Sequence, residues 1–335
     1  MTHPIYVTFL NGPDIAELAL TDQEILDAIE TSLAAQGRGE AVIEPRMHLR
    51  PSPDVHGHFN VLRGALGGNI GLAGVKVVSD FVFNYEKGLP SEMAVLNLFD
   101  PATGKPLAIL DASHITDMRT GAMTAIGAKY LARKGSKVLG HIGARGTAYW
   151  NVRLLDKLFD FDEIRVHSRR KESQDAFAAR LSADLGKPVH AMTDWQSTVE
   201  GADIVVEASR LLEPTPLLRT EWIKPGALVM PYGTISALEL SLTDIMDKLV
   251  VDDWGQVGAG SFGALRAHVN AGKLTRETLH AEMGEIVAGL KPGRESDDET
   301  ILFWHRGLSL SDIALGHAML AKGERLGIGQ RLRFS

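Results

Sequence analysis

Between Lys137 and Asp253 the chain repeats one pattern, in which short apolar runs alternate with helical stretches. The runs are KVLGHIG, EIRVHSR, ADIVVEAS, ALVMPYG and KLVVDD, and TAYWNVRLLDKLF between the first two has helical periodicity. A strand covered on both faces reads as a continuous apolar run, and it needs a crossover to return parallel to its neighbour. Strands alternating with helices over about 120 residues therefore predict a parallel α/β sheet with right-handed crossovers. A chain of 335 residues also has room for a second domain with its own core.

The flanking segments read differently. Thr21 and Glu24 fit a capping box, with Ile25, Leu26, Ile29 and Leu33 on one helical face and Gly37-Arg38-Gly39 as the stop. A strand-rich region follows. Val75, Val77, Phe81 and Phe83 form a mostly period-two pattern, and MAVLNLF and PLAILD are joined by the turn-forming stretch Asp100–Lys105, a hairpin. A long helix is expected from an N-cap at Ser113 to Arg133, with Gly135 beyond it. The tail from Ser309 to Gly327 is helical again, with Leu310, Ile313, Ala314, His317 and Leu320 on one face.

Composition excludes several classes of function. The net charge of -7 argues against a nucleic-acid surface, which needs clustered Lys and Arg. The absence of Cys removes disulfides, thiolate catalysis and Cys-ligated metals, so a reducing cytoplasm is expected. The start MTHPIYVTFLNG lacks a basic segment followed by an apolar one, and no run of about eighteen apolar residues suggests a membrane span. The 12 His form no H-E-x-x-H and no tight cluster with acids, so no metal is expected.

The turn after KVLGHIG is where a dinucleotide fingerprint G-x-G-x-x-G/A belongs. Gly143 fits the first glycine and Ala148 the last small residue, but the middle position is Arg145, followed by Gly146. Alone this is a damaged match, and a turn without ligand is the alternative. The helix start near Thr147 offers free N–H groups and a positive dipole to a diphosphate. At the end of the second strand, Ser168-Arg169-Arg170 precedes any acid. An acid there would bond the ribose hydroxyls of NAD, whereas a guanidinium suits the 2′-phosphate of NADP. NADP(H) is the expected cofactor and NAD(H) the alternative, although arginines at a helix start are commonly just solvated charges.

Across nearly its whole length the chain resembles the ornithine cyclodeaminase and mu-crystallin family. The resemblance is carried by GVKVV, GLPSEMAVLNLFDPATGKPLAILDASHITDMRTGA, GADIV, the strand before Gly233, AEMGEIVAGLKPGR and TILF…GLSLSDIALG. It implies an α/β architecture: a Rossmann-type doubly wound parallel sheet over 126–309, inserted in a strand-rich α+β substrate-binding and dimerisation domain of 1–125 and 310–335. It also implies a homodimer acting on a small amino or imino acid. Arg46, Lys76 and Arg119 match the three basic residues that hold the substrate carboxylate in that family, and Lys76 is the candidate catalytic residue. Arg supplies a planar fork, and Lys a point charge that can donate a proton. The glycine loop and the resemblance together nominate Thr120, Gly143, Ala144, Arg145, Gly146, Thr147, Ala148, Ser168, Arg169, Arg170, Ala208, Ser209, Tyr232 and Gly233 for cofactor binding. His58, Arg63, Tyr232 and His305 are unusual polar choices in segments expected to border the pocket, with His58 and Arg63 assigned to the substrate.

The departures from the family pattern carry equal weight. The Asp that ornithine cyclodeaminases place after the glycine of the fifth Rossmann strand reads Ile235, the Gln of the glycine loop reads Thr147, and the Lys-Ser after the last Rossmann strand reads Trp304-His305. They point away from ornithine cyclisation and towards an imine or ketimine reductase or amino-acid dehydrogenase. An ammonia lyase of the cyclodeaminase type and an NADPH-dependent small-ligand binding protein are the alternatives. Retention of Lys76 speaks against the binder, which has no need of a proton donor.

Overall fold

The computed structural model describes residues 4–144, 146–211, 213–233, 235–258 and 262–335, the Val82 side chain aside. They fall into two compact units, Met1–Arg119 with Leu308–Ser335 and Thr120–Gly307.

The first unit opens with β1 (Tyr6–Leu10), α1 (Gly12–Glu17) and α2 (Asp22–Gly37). The Thr21 hydroxyl accepts from the Glu24 backbone N–H at 3.2 Å, and Glu24 accepts from the Thr21 N–H at 2.8 Å, so the expected capping box starts α2. Then come β2 (Ala41–Leu49), β3 (Gly57–Leu66), β4 (Leu72–Phe81), β5 (Glu92–Phe99) and β6 (Pro106–Asp111). β5 and β6 form the hairpin read from the sequence, its loop held by Asp100 Oδ1 accepting from the Ala102 N–H at 2.8 Å. Two local expectations are corrected. Phe83 is not in β4, because Val82–Lys87 turns into a 3₁₀ helix after Phe81. Ser113 is the first residue of α3 (Ser113–Leu131) rather than its cap, its hydroxyl accepting from the Ala94 N–H of β5 at 3.3 Å.

The chain passes into the second unit within α3. There follow β7 (Val138–Ile142), α4 (Ala148–Phe159), β8 (Glu163–His167), α5 (Lys171–Leu185), β9 (Val189–Ala191), α6 (Trp195–Val199), β10 (Ile204–Glu207) and β11 (Leu228–Pro231). β12 (Lys248–Val251), α7 (Trp254–Gly258), α8 (Arg266–Asn270), β13 (Ala281–Glu282), α9 (Met283–Val287) and β14 (Ile301–Trp304) complete it, and α10 (Ser309–Leu326) and β15 (Gln330–Arg333) return to the first unit.

In the first unit the sheet order is β15-β1-β6-β5-β4-β3-β2. α10 packs on β3, β4, β5 and α2, and the residues from Ser309 to Gly316 are buried all round. The single apolar stripe expected of the tail describes it incompletely, since Ser311 and Asp312 are buried with the apolar residues. In the second unit eight parallel strands run β13-β12-β14-β11-β10-β7-β8-β9. The chain builds outward from β7 through β8 to β9, then crosses to β10 on the other side of β7. The carboxyl ends of β7 and β10 thus flank the switch point of a doubly wound sheet, where such folds bind ligands. The expected fold class, a Rossmann-type sheet plus a strand-rich α+β part, is the one observed.

Within the second unit α3 and α4 touch at Gly121, where an added Cβ would lie 2.5 Å from the backbone carbon of Trp150. Backbone cannot yield as a flexible side chain can, so Gly121→Ala is expected to destabilise the protein by about 1–3 kcal/mol through overpacking. Denaturant melts of the two proteins measure this, and an unchanged midpoint would contradict the close approach.

Candidate active site

In the first unit the site grows from Lys76, in the middle of β4. Alternate residues of β4 face α10, and Lys76 is 1% exposed on that covered face. An ammonium so placed needs partners. Nζ donates to Asp312 Oδ1 of α10 at 2.6 Å and to Thr116 Oγ1 of α3 at 3.1 Å. The same Asp312 oxygen accepts from Arg119 Nε at 3.0 Å. One carboxylate oxygen therefore serves two cations, and Asp312 itself is 0% exposed. Burial pushes the Lys76 amine down from its ordinary range to about 7; Asp312 opposes the shift, and Arg119 and Arg46 add to it.

Arg46 reaches this neighbourhood through a β-bulge. Glu44 pairs with Arg63 and Met47 with Val61, so Pro45 and Arg46 together oppose Leu62, which in turn pairs with Lys76. The extra residue re-aims the strand, and a Pro is tolerated because β2 is an edge. Arg63 goes elsewhere. It pairs with Val75, so it projects from the opposite face of the sheet to Lys76, 3.4 Å from Glu44. His58 shares the face of Lys76 but pairs with Asp80, about 13 Å along the strand, and its Nε2 accepts from Asn60 Nδ2 at 3.2 Å. The structure thus gathers Arg46, Lys76 and Arg119 and leaves Arg63 and His58 apart from them. Reading the sequence missed Asp312, whose signal was a lone acid inside the apolar run SLSDIALG. Asp117 on α3 was also missed. Burial, with Glu92 beside it, raises its carboxyl to about 6, while His114, Arg119 and Lys76 pull it down.

In the second unit the described residues nominated for the cofactor follow the carboxyl ends of β8, β7, β10 and β11, neighbours in the sheet, except Thr120, which lies in α3. Gly143 has φ +112°, and a Cβ there would lie 2.8 Å from the Ala208 carbonyl oxygen, so only glycine fits the turn. Its N–H donates to the His167 carbonyl at 2.8 Å, and its own carbonyl accepts from His141 Nδ1 at 3.0 Å, which places the imidazole proton on Nδ1. Ala144 follows, Arg145 lies outside the described residues, and Gly146 is left-handed. Ala148 opens α4 with no exposed surface, and Thr147 before it makes no side-chain cap. Those first-turn N–H groups and the glycine cradle fit a dinucleotide diphosphate. The Ser168 N–H is taken by Gln174 Oε1 at 2.9 Å, whereas Arg169 and Arg170 are exposed, Arg170 3.9 Å from Glu172.

The Thr147 hydroxyl meets the Tyr232 phenol at 2.6 Å, and Asn151 Nδ2 donates to the same oxygen. Tyr232 stacks on His305, with ring centroids 4.8 Å apart, and His305 Nε2 meets Thr124 Oγ1 at 3.0 Å. That hydroxyl donates to the Thr120 carbonyl, so the imidazole is the donor in the His305 contact. Trp304 is a core residue with no exposed surface. Two of the positions where the chain departs from the family pattern, Thr147 and His305, are therefore joined through Tyr232: Tyr232 and His305 follow the ends of β11 and β14, and Thr147 ties α4 to them.

Glu207 ends β10 with no exposed surface. Its Oε1 accepts from the Ser209 N–H at 2.7 Å, and a Cβ at Gly233 would lie 2.6 Å from its Oε2. Its carboxyl thus fills the space that the glycine leaves and ties down the Ala208-Ser209 turn. Burial pushes this carboxyl up to about 7, against hydrogen bonds from Ser209 and Gly233.

The model of the ornithine cyclodeaminase/mu-crystallin family matches residues 8–322. The alanine dehydrogenase of Archaeoglobus fulgidus is 32% identical over 330 residues, 98% of either chain. Among solved structures, an archaeal alanine dehydrogenase dimer with bound NAD aligns over 99% of this chain and 100% of its own, with TM-score 0.89 and 29% identity. The Δ1-pyrroline-2-carboxylate reductase of Thermococcus litoralis, in complex with NADH and L-proline, aligns over 97% and 100%, with TM-score 0.88 and 28% identity.

The buried acid at position 207 has a measurable signature. Its folded pKa is raised, so the unfolded chain releases this proton first as pH rises. Between about 4.5 and about 7 the folded state loses stability relative to the unfolded one. Glu207→Gln keeps the oxygen that accepts from Ser209 and has nothing to titrate. Its stability relative to the parent is expected to rise by about 1–3 kcal/mol between pH ~5 and pH ~8. A pH-independent difference in denaturant melts would show that Glu207 ionises normally.

Proposed function

Because the chain belongs to the ornithine cyclodeaminase/mu-crystallin family, we propose that it reduces the C=N bond of a small α-imino acid with a nicotinamide cofactor, or runs the reverse as an amino-acid dehydrogenase. The observation that carries this reading is the buried Lys76 beside Arg119 and Arg46, with an amine held near pH 7. An amine so tuned exchanges a proton at neutral pH, as a general acid must. Arg119, whose Nε is engaged by Asp312, presents its terminal nitrogens to the substrate carboxylate, and Arg46 adds a second guanidinium. With the carboxylate gripped, the imine nitrogen is placed for a proton from Lys76. The bound cofactor supplies the hydride that the α-carbon receives. Gly143, Gly146, Thr147 and the first turn of α4 would hold its diphosphate. Ile235, where the family's lyases carry an Asp, supports reduction over ornithine cyclisation.

NADP(H) is the favoured cofactor, NAD(H) the alternative. β8 ends at His167 and Ser168 follows, with no acid there, and the exposed Arg169 is available to a 2′-phosphate, whereas the two similar structures carry NAD and NADH. A homodimer is proposed as well. Met47, Val61, Val77 and Val95 form one row across four strands on the sheet face opposite α10, and Met47 and Val95 are 55% and 44% exposed. Light scattering is expected to give a dimer, and a stable monomer at micromolar concentration would refute it.

The reaction is tested by supplying oxo acids with amines, cyclic imines and amino acids together with either cofactor. Net oxidation of NADPH by an imino acid is expected, with NADPH bound more tightly than NADH and Arg169→Ala weakening the phosphate form alone. Lys76→Met should lower turnover by about a hundred- to ten-thousand-fold while cofactor binding survives. Arg119→Lys should chiefly raise KM, because the fork is lost. Ammonia release from ornithine without net change in nicotinamide absorbance would replace this reading with the lyase one.

A further inference from the structure

We propose that Asp312, contributed by the C-terminal helix, is the positioning residue that sets the protonation of Lys76, through one oxygen that Lys76 and Arg119 share. The inference rests on the reading of Lys76 as the proton donor. Three observations carry it. Lys76 Nζ and Arg119 Nε lie 2.6 and 3.0 Å from the same Oδ1, and Oδ2 has no hydrogen-bond partner among the described residues. The Lys76 and Asp312 side chains are both 0% exposed, so solvent does not screen them. Arg119, Thr116 and Asp117 of α3 and Arg46 of β2 also act on the amine. The two guanidiniums oppose its charge, Asp117 favours it without an ion pair or hydrogen bond to Nζ among those described, and Thr116 only accepts its hydrogen bond. Asp312 therefore supplies the closest negative charge that keeps a proton on Lys76, and Arg119 competes for it. A substrate carboxylate docked on Arg119 would satisfy that guanidinium and leave the Asp312 charge to Lys76, so substrate binding itself would load the proton.

The test follows the ¹⁵Nζ resonance of Lys76 across pH in the full chain, assigned with Lys76→Met and recorded without cofactor or substrate. In Asp312→Asn the midpoint is expected about one to three units below that of the parent. Asp312→Asn leaves several cations without their acid and folding is at risk, so Arg119→Gln is the second variant. It removes the competing charge, and the midpoint is expected to rise. An unmoved midpoint in either folded variant, or movement in the opposite sense, overturns the proposal. In turnover, the alkaline limb of kcat/KM should shift with the same sign, whereas a merely structural role for Asp312 would lower activity without moving the limb. The NMR titration needs no turnover, so a chain that reduces none of the imino acids offered would fail the proposed reaction while the titration still decides the role of Asp312.

Discussion

The buried cluster of Lys76, Asp312 and Arg119 is the constraint on which the rest of the first unit depends. It joins residues 236 and 193 positions apart, and it pins the C-terminal helix to the N-terminal sheet. A buried ion pair is weak evidence for stability, because its attraction largely offsets the desolvation of both charges. Removing any one member is costly, however, because it strands the others in a site without solvent. The register of the helix on the sheet is the one that brings Asp312 opposite Lys76. Ser309 reinforces it by donating to the Arg63 carbonyl at 2.9 Å.

That arrangement explains why the first unit is discontinuous in sequence. A strand-rich segment alone would expose the covered face of β3, β4 and β5, and the segment that covers it arrives only after the whole Rossmann unit has been built. The charges that suit a substrate carboxylate are held by the same contacts that close this core. Under the proposed reaction, function and packing are not separable at Lys76, and a mutation there would be read in both.

The second unit solves a different problem. Its strand ends must hold several turns close to one another with little side-chain bulk between them. Gly143 supplies a left-handed turn against Ala208, and Gly233 leaves room for Glu207. Tyr232 draws Thr147, Asn151 and His305 into one contact set. The glycine-loop fingerprint is degraded in sequence, yet its first position keeps the glycine that the turn requires, with positive φ at Gly143 and no space for a Cβ beside Ala208.

Much of this was legible in the sequence. Alternating short apolar runs and helices determined a parallel sheet, because only strands buried on both faces lack polar alternation. The Thr21–Glu24 box, the Asp100 hairpin and the helix ending at Gly327 are local events, decided by residues a few positions apart. Tertiary structure alone decided what depends on distant residues. The bulge at Pro45-Arg46 becomes visible only when β2 is paired with β3, and it is the pairing that turns Arg46 towards Lys76 and Arg63 away. Asp312 looked like one polar residue in an apolar helix, Glu207 like the polar end of a strand. The raised carboxyl of Glu207 and the lowered amine of Lys76 come from burial, which shifts a titration only once other parts of the chain have excluded water. Sequence determines which groups can ionise, and the fold determines which of them lose their solvent and which opposite charge, if any, replaces it.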